Sequence, residues 1–201
     1  MREIFLSASV PTDRNRAFQK SANPFLIQFA VRELVATCLG RVRIVWGGHP
    51  SITPMVHAVC SDFGMELDAP VVLYQSEFFT QRFPVENRFF QTELVAAVEG
   101  DERKSLTAMR HAMLMRPGID GAVFIGGMEG IVFEHELLAL SNPQARQFFV
   151  SAPGGAAAAI AADHPEWALE GLDFGRQFHR ALDIYPTAPR DVIPRSPRPF
   201  K

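Results

Sequence analysis

The chain has 201 residues, 47% of them hydrophobic and 21% charged, with a formal charge of −2. This is the composition of one packed globular domain of ordinary size. It excludes a strongly basic nucleic-acid binder, an acidic tail protein and a collagen or coiled coil. Two cysteines, Cys38 and Cys60, cannot build a disulfide scaffold and no CxxC occurs, so a reducing, cytoplasmic setting is expected. No apolar run approaches the ~18 residues of a spanning helix. The opening MREIFLSASV lacks the pattern of a signal peptide, so neither a membrane nor export is expected.

Short apolar runs alternate with helix-like stretches. Glu3–Ser9 (EIFLSAS) is the first run, and 10–23 is polar and irregular. The spacing predicts a helix over 24–39, with Pro24 in its first turn, Phe25, Phe29, Leu34 and Val35 on or near one face, and Gly40 as its stop. The run 42–46 (VRIVW) leads into Gly47-Gly48-His49-Pro50. A helix over 54–63 follows, with Thr53 or Ser51 as its cap and Gly64 closing it. The run 70–74 (PVVLY) leads into Gln75-Ser76. The aromatic stretch after it has a helix-like latter part over 91–98.

Asp101 is the expected cap of a helix reaching Met115, with Met109, Ala112 and Met113 inward. The run 121–125 (GAVFI) precedes Gly126-Gly127-Met128-Glu129-Gly130 and a helix over 131–140. The run 147–151 (QFFVS) precedes Pro153-Gly154-Gly155 and an alanine-rich helix over 156–162. A last helix covers about 172–182. Residues 1–183 read as one domain. The remainder, 184–201, is rich in proline and arginine and reads as an extended arm or disorder.

Nearly continuous apolar strands alternating with helices predict an α/β fold: a Rossmann-like three-layer sandwich whose central sheet is mostly parallel and has five or more strands. In such sheets ligands bind beyond the carboxyl ends of the strands. The residues there are Ser7 and Ser9, Gly47, Gly48 and His49, Gln75 and Ser76, Gly126 to Gly130, and Gly154 and Gly155. A glycine pair before a helix lets an anion approach backbone N–H groups and the positive end of the helix dipole. Glycine also serves tight turns with no ligand, so each pair has a purely structural alternative. Neither G-x-G-x-x-G nor GxxxxGK[ST] is present, which excludes an ordinary NAD dehydrogenase and a P-loop NTPase. HExxH and Cys/His clusters are absent too, and no metal or other cofactor is expected.

The segment Gly126–Glu134 (GGMEGIVFE) resembles the glycine-rich helix start of the SLOG superfamily, which includes the LOG nucleotide phosphoribohydrolases. The LOG pattern is PGGxGTxxE, preceded by a helix with an Arg-Lys pair and a Met, and 102–110 (ERKSLTAMR) stands at a similar distance here. The order FLSASVP, GGHPSITP, YQS, SLTAMR, FIGGMEG, GGAA is similar to a SLOG group found with prokaryotic conflict and defence genes. The resemblance spans about Ile4 to Ala162. Ile125 stands where LOG has proline, the Thr is missing, and Glu134 lies one residue further from the pair.

The resemblance implies a nucleotide-derived ligand. It makes Glu134 the acid, Arg110 or Arg103 the arginine, and Gly126, Gly127 and Gly130 the phosphate grip, with Met128 and Glu129 beside them. Three functions follow from these residues: a sensor or adaptor for an ADP-ribose-like or cyclic nucleotide signal in a defence or stress pathway, a LOG-like or NAD-cleaving N-glycosidic hydrolase, and a protein-interaction module with a degenerate cleft. The resemblance also implies a homo-oligomer, with Phe78–Phe90 and Ser105–Met115 as expected interfaces. Direct contact with nucleic acid or membrane is not expected.

Overall fold

The apolar runs are the strands of one sheet. They are β1 (Glu3–Ser9), β2 (Arg43–Trp46), β3 (Val71–Ser76), β4 (Gln91–Val95), β5 (Ile119–Gly126), β6 (Arg146–Val150) and β7 (Ala168–Leu169). A computed structural model describes residues 2–12, 16–63 and 71–191. All seven strands are parallel, in the order β4-β3-β2-β1-β5-β6-β7. The helices are α1 (Arg16–Ser21), α2 (Pro24–Cys38), α3 (Thr53–Asp62), α4 (Glu102–Leu114), α5 (Glu129–Ser141), α6 (Gly155–Asp163) and α7 (Phe174–Ala181). The fold is the α/β three-layer sandwich expected from the sequence, with a parallel sheet.

Each central strand divides its side chains between two apolar layers, as the two-residue period of a strand requires. Ile4, Leu6, Ile44, Trp46, Val71 and Leu73 pack with α2, α3 and α7. Phe5, Val45, Val72, Phe124 and Phe149 pack with residues of α4, α5 and α6. β1 is buried along its whole length, with β2 on one side and β5 on the other.

Several elements differ from the sequence reading. Residues 91–95 are not helical: they form β4, the edge strand, paired with β3 from Val72↔Gln91 to Ser76↔Val95. The strand is mostly exposed, so it carries neither the continuous apolar run of a buried strand nor a clean alternation. Residues 16–21 of the stretch read as irregular form α1, and β7 has only two residues. The buried stripe of α2 is Ile27, Ala30, Val31, Leu34, Val35 and Cys38. Phe25 is 73% exposed and Phe29 39%, because the stripe begins at Ile27; the two rings stack on each other outside it, and Phe29 meets Phe174 edge-on. In α4, Met109 and Met113 are buried as expected, whereas Ala112 faces outward. Neither Thr53 nor Ser51 caps α3, whose N-cap is Ile52; the Thr53 hydroxyl donates to the His49 carbonyl instead. Gly64 and Pro70 lie outside the described residues.

Gly40, at φ +71°, ends α2 in the left-handed conformation that glycine tolerates best. Residues 184–191 then lie along that helix end. The Arg41 guanidinium donates to the carbonyls of Pro186 and Ala188, and Arg190 donates to those of Leu39 and Ala36. Arg190, together with Arg41 through a further bond to the Thr37 carbonyl, satisfies carbonyls that the last turn of a helix leaves open. Residues 192–201 of the tail lie outside the described residues. Among the described residues no helix is long and apolar enough to cross a membrane.

β3 connects to β4 through two 3-10 turns, Glu77–Arg82 and Val85–Phe89, rather than through an α-helix. The first part of this connection carries Phe79, Arg82 and Phe83 to the cavity described next, and the second packs against α3, where Phe89 stacks on His57.

Candidate functional site

The strand order changes direction at β1: β2, β3 and β4 run out on one side, and β5, β6 and β7 on the other. Loops leaving the two halves diverge there and open a crevice. The crevice holds a cavity of about 520 Å³, within the size range of small-molecule sites. Its walls are the end of β1 (Leu6 to Ser9), the turn after β2 (Trp46 to Pro50), Gln75 of β3, one face of α4, the first two turns of α5, and the 79–84 region.

Glu134 is the centre of its polar side. It stands four residues after Gly130, so both lie on the same face of α5. The Ser7 hydroxyl on β1 donates to Oε2 at 2.5 Å, and Arg110 Nε on α4 donates to Oε1 at 2.9 Å. Three elements therefore hold one carboxylate, and its side chain is only 13% exposed. The Arg110 guanidinium also lies 5.4 Å from the centre of the Phe133 ring. Its Nη2 sits 2.7 Å from where a Cβ on Gly130 would stand, so the bare backbone of Gly130 makes room for it. α5 begins at Met128 with no side-chain cap, and Met128, Glu129 and Gly130 line the cavity. The positive end of that helix faces the space beside Arg110.

On the β2 side, His49 is held by its own turn. The Ser51 N–H donates to Nδ1 at 3.3 Å and the Ser51 hydroxyl lies 2.8 Å from the same nitrogen. An Nδ1 that accepts from the backbone leaves the proton of the neutral ring on Nε2. Burial pushes the His49 pKa below its usual value, which favours that neutral ring. Ser51 also accepts from the Val10 N–H, tying the β2 turn to the end of β1. Gln75 donates to the Gly47 carbonyl at 2.7 Å and so supports the turn. Gly48, at φ +63°, cannot take a side chain: a Cβ there would lie 2.2 Å from Gln75 Nε2 and 2.3 Å from Leu73 Cδ1.

Of the residues singled out from sequence, Ser7, Ser9, Gly47, Gly48, His49, Gln75, Arg110, Met128, Glu129, Gly130 and Glu134 come together around this cavity. Ser76, Arg103, Gly126, Gly127, Gly154 and Gly155 are not among its lining residues. Ser76 accepts the Phe78 N–H at the start of a 3-10 turn, and Arg103 is exposed on α4. The Gly127 N–H donates to the Ser9 carbonyl at 2.8 Å, and the Gly127 carbonyl accepts from Ala156 N–H at 3.0 Å. A Cβ on Gly155 would fall 2.6 Å from the backbone of Gly126. These glycines let the ends of β1, β5 and β6 approach closely. The Gly127 N–H is therefore committed to the Ser9 carbonyl, and in the first turn of α5 the Ile131 N–H donates to the Met128 carbonyl at 2.9 Å.

The sequence reading gave the residues of the apolar side other roles, Phe79 and Phe83 at an interface and Met109 in the core. Trp46 comes from β2, Leu106 and Met109 from α4, and Phe79 and Phe83 from the β3–β4 connection. Glu102, Leu106 and Arg110 recur every four residues, so the α4 contribution was available from the position of Arg110. Phe79 and Phe83 have no such local signature. Among the described residues no group of three or more His, Cys, Asp or Glu side chains could hold a metal ion.

The profile of the SLOG cluster3 family matches residues 17–182. The chain belongs to the SLOG cluster3 family. The resemblance read from the strand-end motifs agrees with this membership, which supports a nucleotide-related or LOG-like function. The chain is also similar to the X-ray structure of the structural-genomics target TM1055, with 12% sequence identity and a TM-score of 0.57, covering 91% of this chain and 99% of that one. At that identity the likeness is one of fold. No curated protein matches the chain.

Proposed function

We propose that this SLOG protein binds a nucleotide-derived ligand, ADP-ribose-like or a cyclic nucleotide, in the cavity at the strand ends, and acts as a sensor or adaptor in a bacterial defence or stress pathway. The observation that carries the reading is the Ser7–Glu134–Arg110 arrangement beside the uncapped start of α5. A phosphate suits Arg110 and the α5 N-terminus. A ribose hydroxyl suits the Glu134 carboxylate, and a base suits the wall of Trp46, Met109 and Phe79. The defence role rests on the resemblance of the motif order to the SLOG group found with conflict genes.

A second reading is favoured by Glu134 itself, because a fixed carboxylate also stabilises positive charge developing on a sugar ring. In that reading water adds to the anomeric carbon as the N-glycosidic bond breaks, and the base leaves with a proton. A homo-oligomer, formed through Phe78–Phe90 or Ser105–Met115, belongs to either reading; light scattering on the purified chain measures it.

The experiment is a thermal-shift panel with AMP, ADP-ribose, cyclic ADP-ribose, NAD and cyclic dinucleotides, followed by product analysis of each sample. A ligand at 100-fold its dissociation constant adds about 2.7 kcal/mol of stability. A shift with the ligand intact is the expected result. Free base or ribose phosphate would replace the sensor with the hydrolase, and no shift with any nucleotide would overturn both.

A further inference from the structure

Ser7 has its place at the cavity, but its hydroxyl is committed to a protein atom. It is 4% exposed on the central strand β1 and donates to Glu134 Oε2, while Arg110 takes Oε1. A lone arginine contact at one oxygen leaves a glutamate side chain free to swing about its last torsion. A second donor at the other oxygen, supplied by a strand that is buried along its whole length, fixes the plane of the carboxylate. Each carboxylate oxygen offers two lone-pair sites, so one remains on each to accept from a ligand. A carboxylate held in one plane, with an accepting site on both oxygens, matches two adjacent hydroxyls.

We infer that Ser7 is a positioning residue that holds Glu134 as a receptor for the 2′,3′-diol of a ribose, so that the site selects ribonucleotides over 2′-deoxyribonucleotides. This rests on the nucleotide reading above and narrows its ligand class. Ser7 acts through Glu134 and through nothing else in the site, which makes its effect conditional on that residue.

The test measures dissociation constants by calorimetry for AMP and 2′-dAMP, and for ADP-ribose and its 2′-deoxy analogue, with the wild type, Ser7→Ala, Ser7→Thr, Glu134→Gln and the Ser7→Ala/Glu134→Gln double variant. Apo melting temperatures are recorded for each, so that a general loss of stability is seen separately. The wild type is expected to prefer the ribose form. In Ser7→Ala that preference falls by roughly tenfold, the scale of a hydrogen bond to a charged group, while affinity for the deoxy form changes little. Ser7→Thr, which keeps the hydroxyl, restores the preference. In the Glu134→Gln background the Ser7→Ala change adds almost nothing, the non-additivity of residues acting as a unit. If a ribonucleotide binds but Ser7→Ala leaves the ribose preference unchanged, or weakens both forms equally, the inference is overturned and the nucleotide reading stands. If neither nucleotide binds the wild type, that reading fails and the inference with it.

Discussion

Gly130 and Gly155 stand at the starts of neighbouring helices and answer differently to a methyl group. At Gly155, φ is +72° and a Cβ would fall 2.6 Å from the carbonyl carbon of Gly126, a backbone atom that cannot move aside. Left-handed strain and overpacking act together there, and Gly155→Ala is expected to cost about 2–4 kcal/mol in urea unfolding. At Gly130 the obstacle is the tip of Arg110, a flexible group. Gly130→Ala is expected to stay within about 1 kcal/mol of the wild type, since alanine favours a helix. It displaces the guanidinium from the site, so the nucleotide thermal shift shrinks while the apo melting temperature holds. The two cysteines offer another residue-scale check. Burial pushes the thiols of Cys38 and Cys60 up to about 12, and reactivity belongs to the thiolate. Native protein is therefore expected to remain unlabelled by iodoacetamide at pH 8, and to label at both cysteines in guanidinium.

At the scale of elements, α4 joins the cavity to its own cap. Asp101 accepts the Lys104 N–H at 2.8 Å, the expected N-cap, and the helix it starts carries Arg110 about two and a half turns later. Asp101→Ala is expected to cost about 1 kcal/mol by denaturant titration. The nucleotide shift should survive it, because Met109 and Met113 anchor the later turns in the core. β4 shows where local reading fails. Gln91, Leu94, Val95 and Val98 have helical spacing, yet residues 91–95 are paired to β3. An edge strand in water shows little hydrophobic pattern, so only the neighbouring strand decides its conformation. α2 shows a milder version: its extent is written in Pro24 and Gly40, but which of its apolar residues are buried depends on the sheet beneath it.

Across the whole molecule, the end of the sheet opposite the cavity is held by Glu3. The Arg116 side chain donates to both Glu3 oxygens, at 2.5 and 2.8 Å, and Arg43 adds a contact at 3.3 Å. Burial raises the Glu3 pKa, but hydrogen bonds and charge from Arg116 and then Arg43 outweigh it, and the net direction is below the usual 4.5. A carboxyl with a depressed folded pKa contributes stability above its unfolded pKa and loses it as pH falls through the folded one. Wild-type stability should therefore decline below about pH 4.5, and Glu3→Gln should show a shallower decline in urea titrations from pH 7 to pH 3 while being less stable at pH 7. Equal slopes for the two proteins would remove Glu3 from the acid response.

The residues themselves determined the strands with small or polar ends, the helices with proline or aspartate at their starts, and the glycine-rich step into α5. Each is a matter of neighbours a few positions apart: apolar runs, capping side chains, and turns that exclude a Cβ. Glu134 and Arg110 were also legible as a pair, through the resemblance of their motifs. The tertiary structure decided the rest. Strand order brings β1, β2 and β3 to one crevice, and the glycine pairs at 126–127 and 154–155 became close contacts between strand ends once Gly127 found the Ser9 carbonyl. Ser7 and Glu134 lie 127 positions apart, and nothing local to either marks the other. Such a bond exists only because a parallel sheet places β1 and β5 side by side, a long-range choice that is set by burying both faces of the sheet at once.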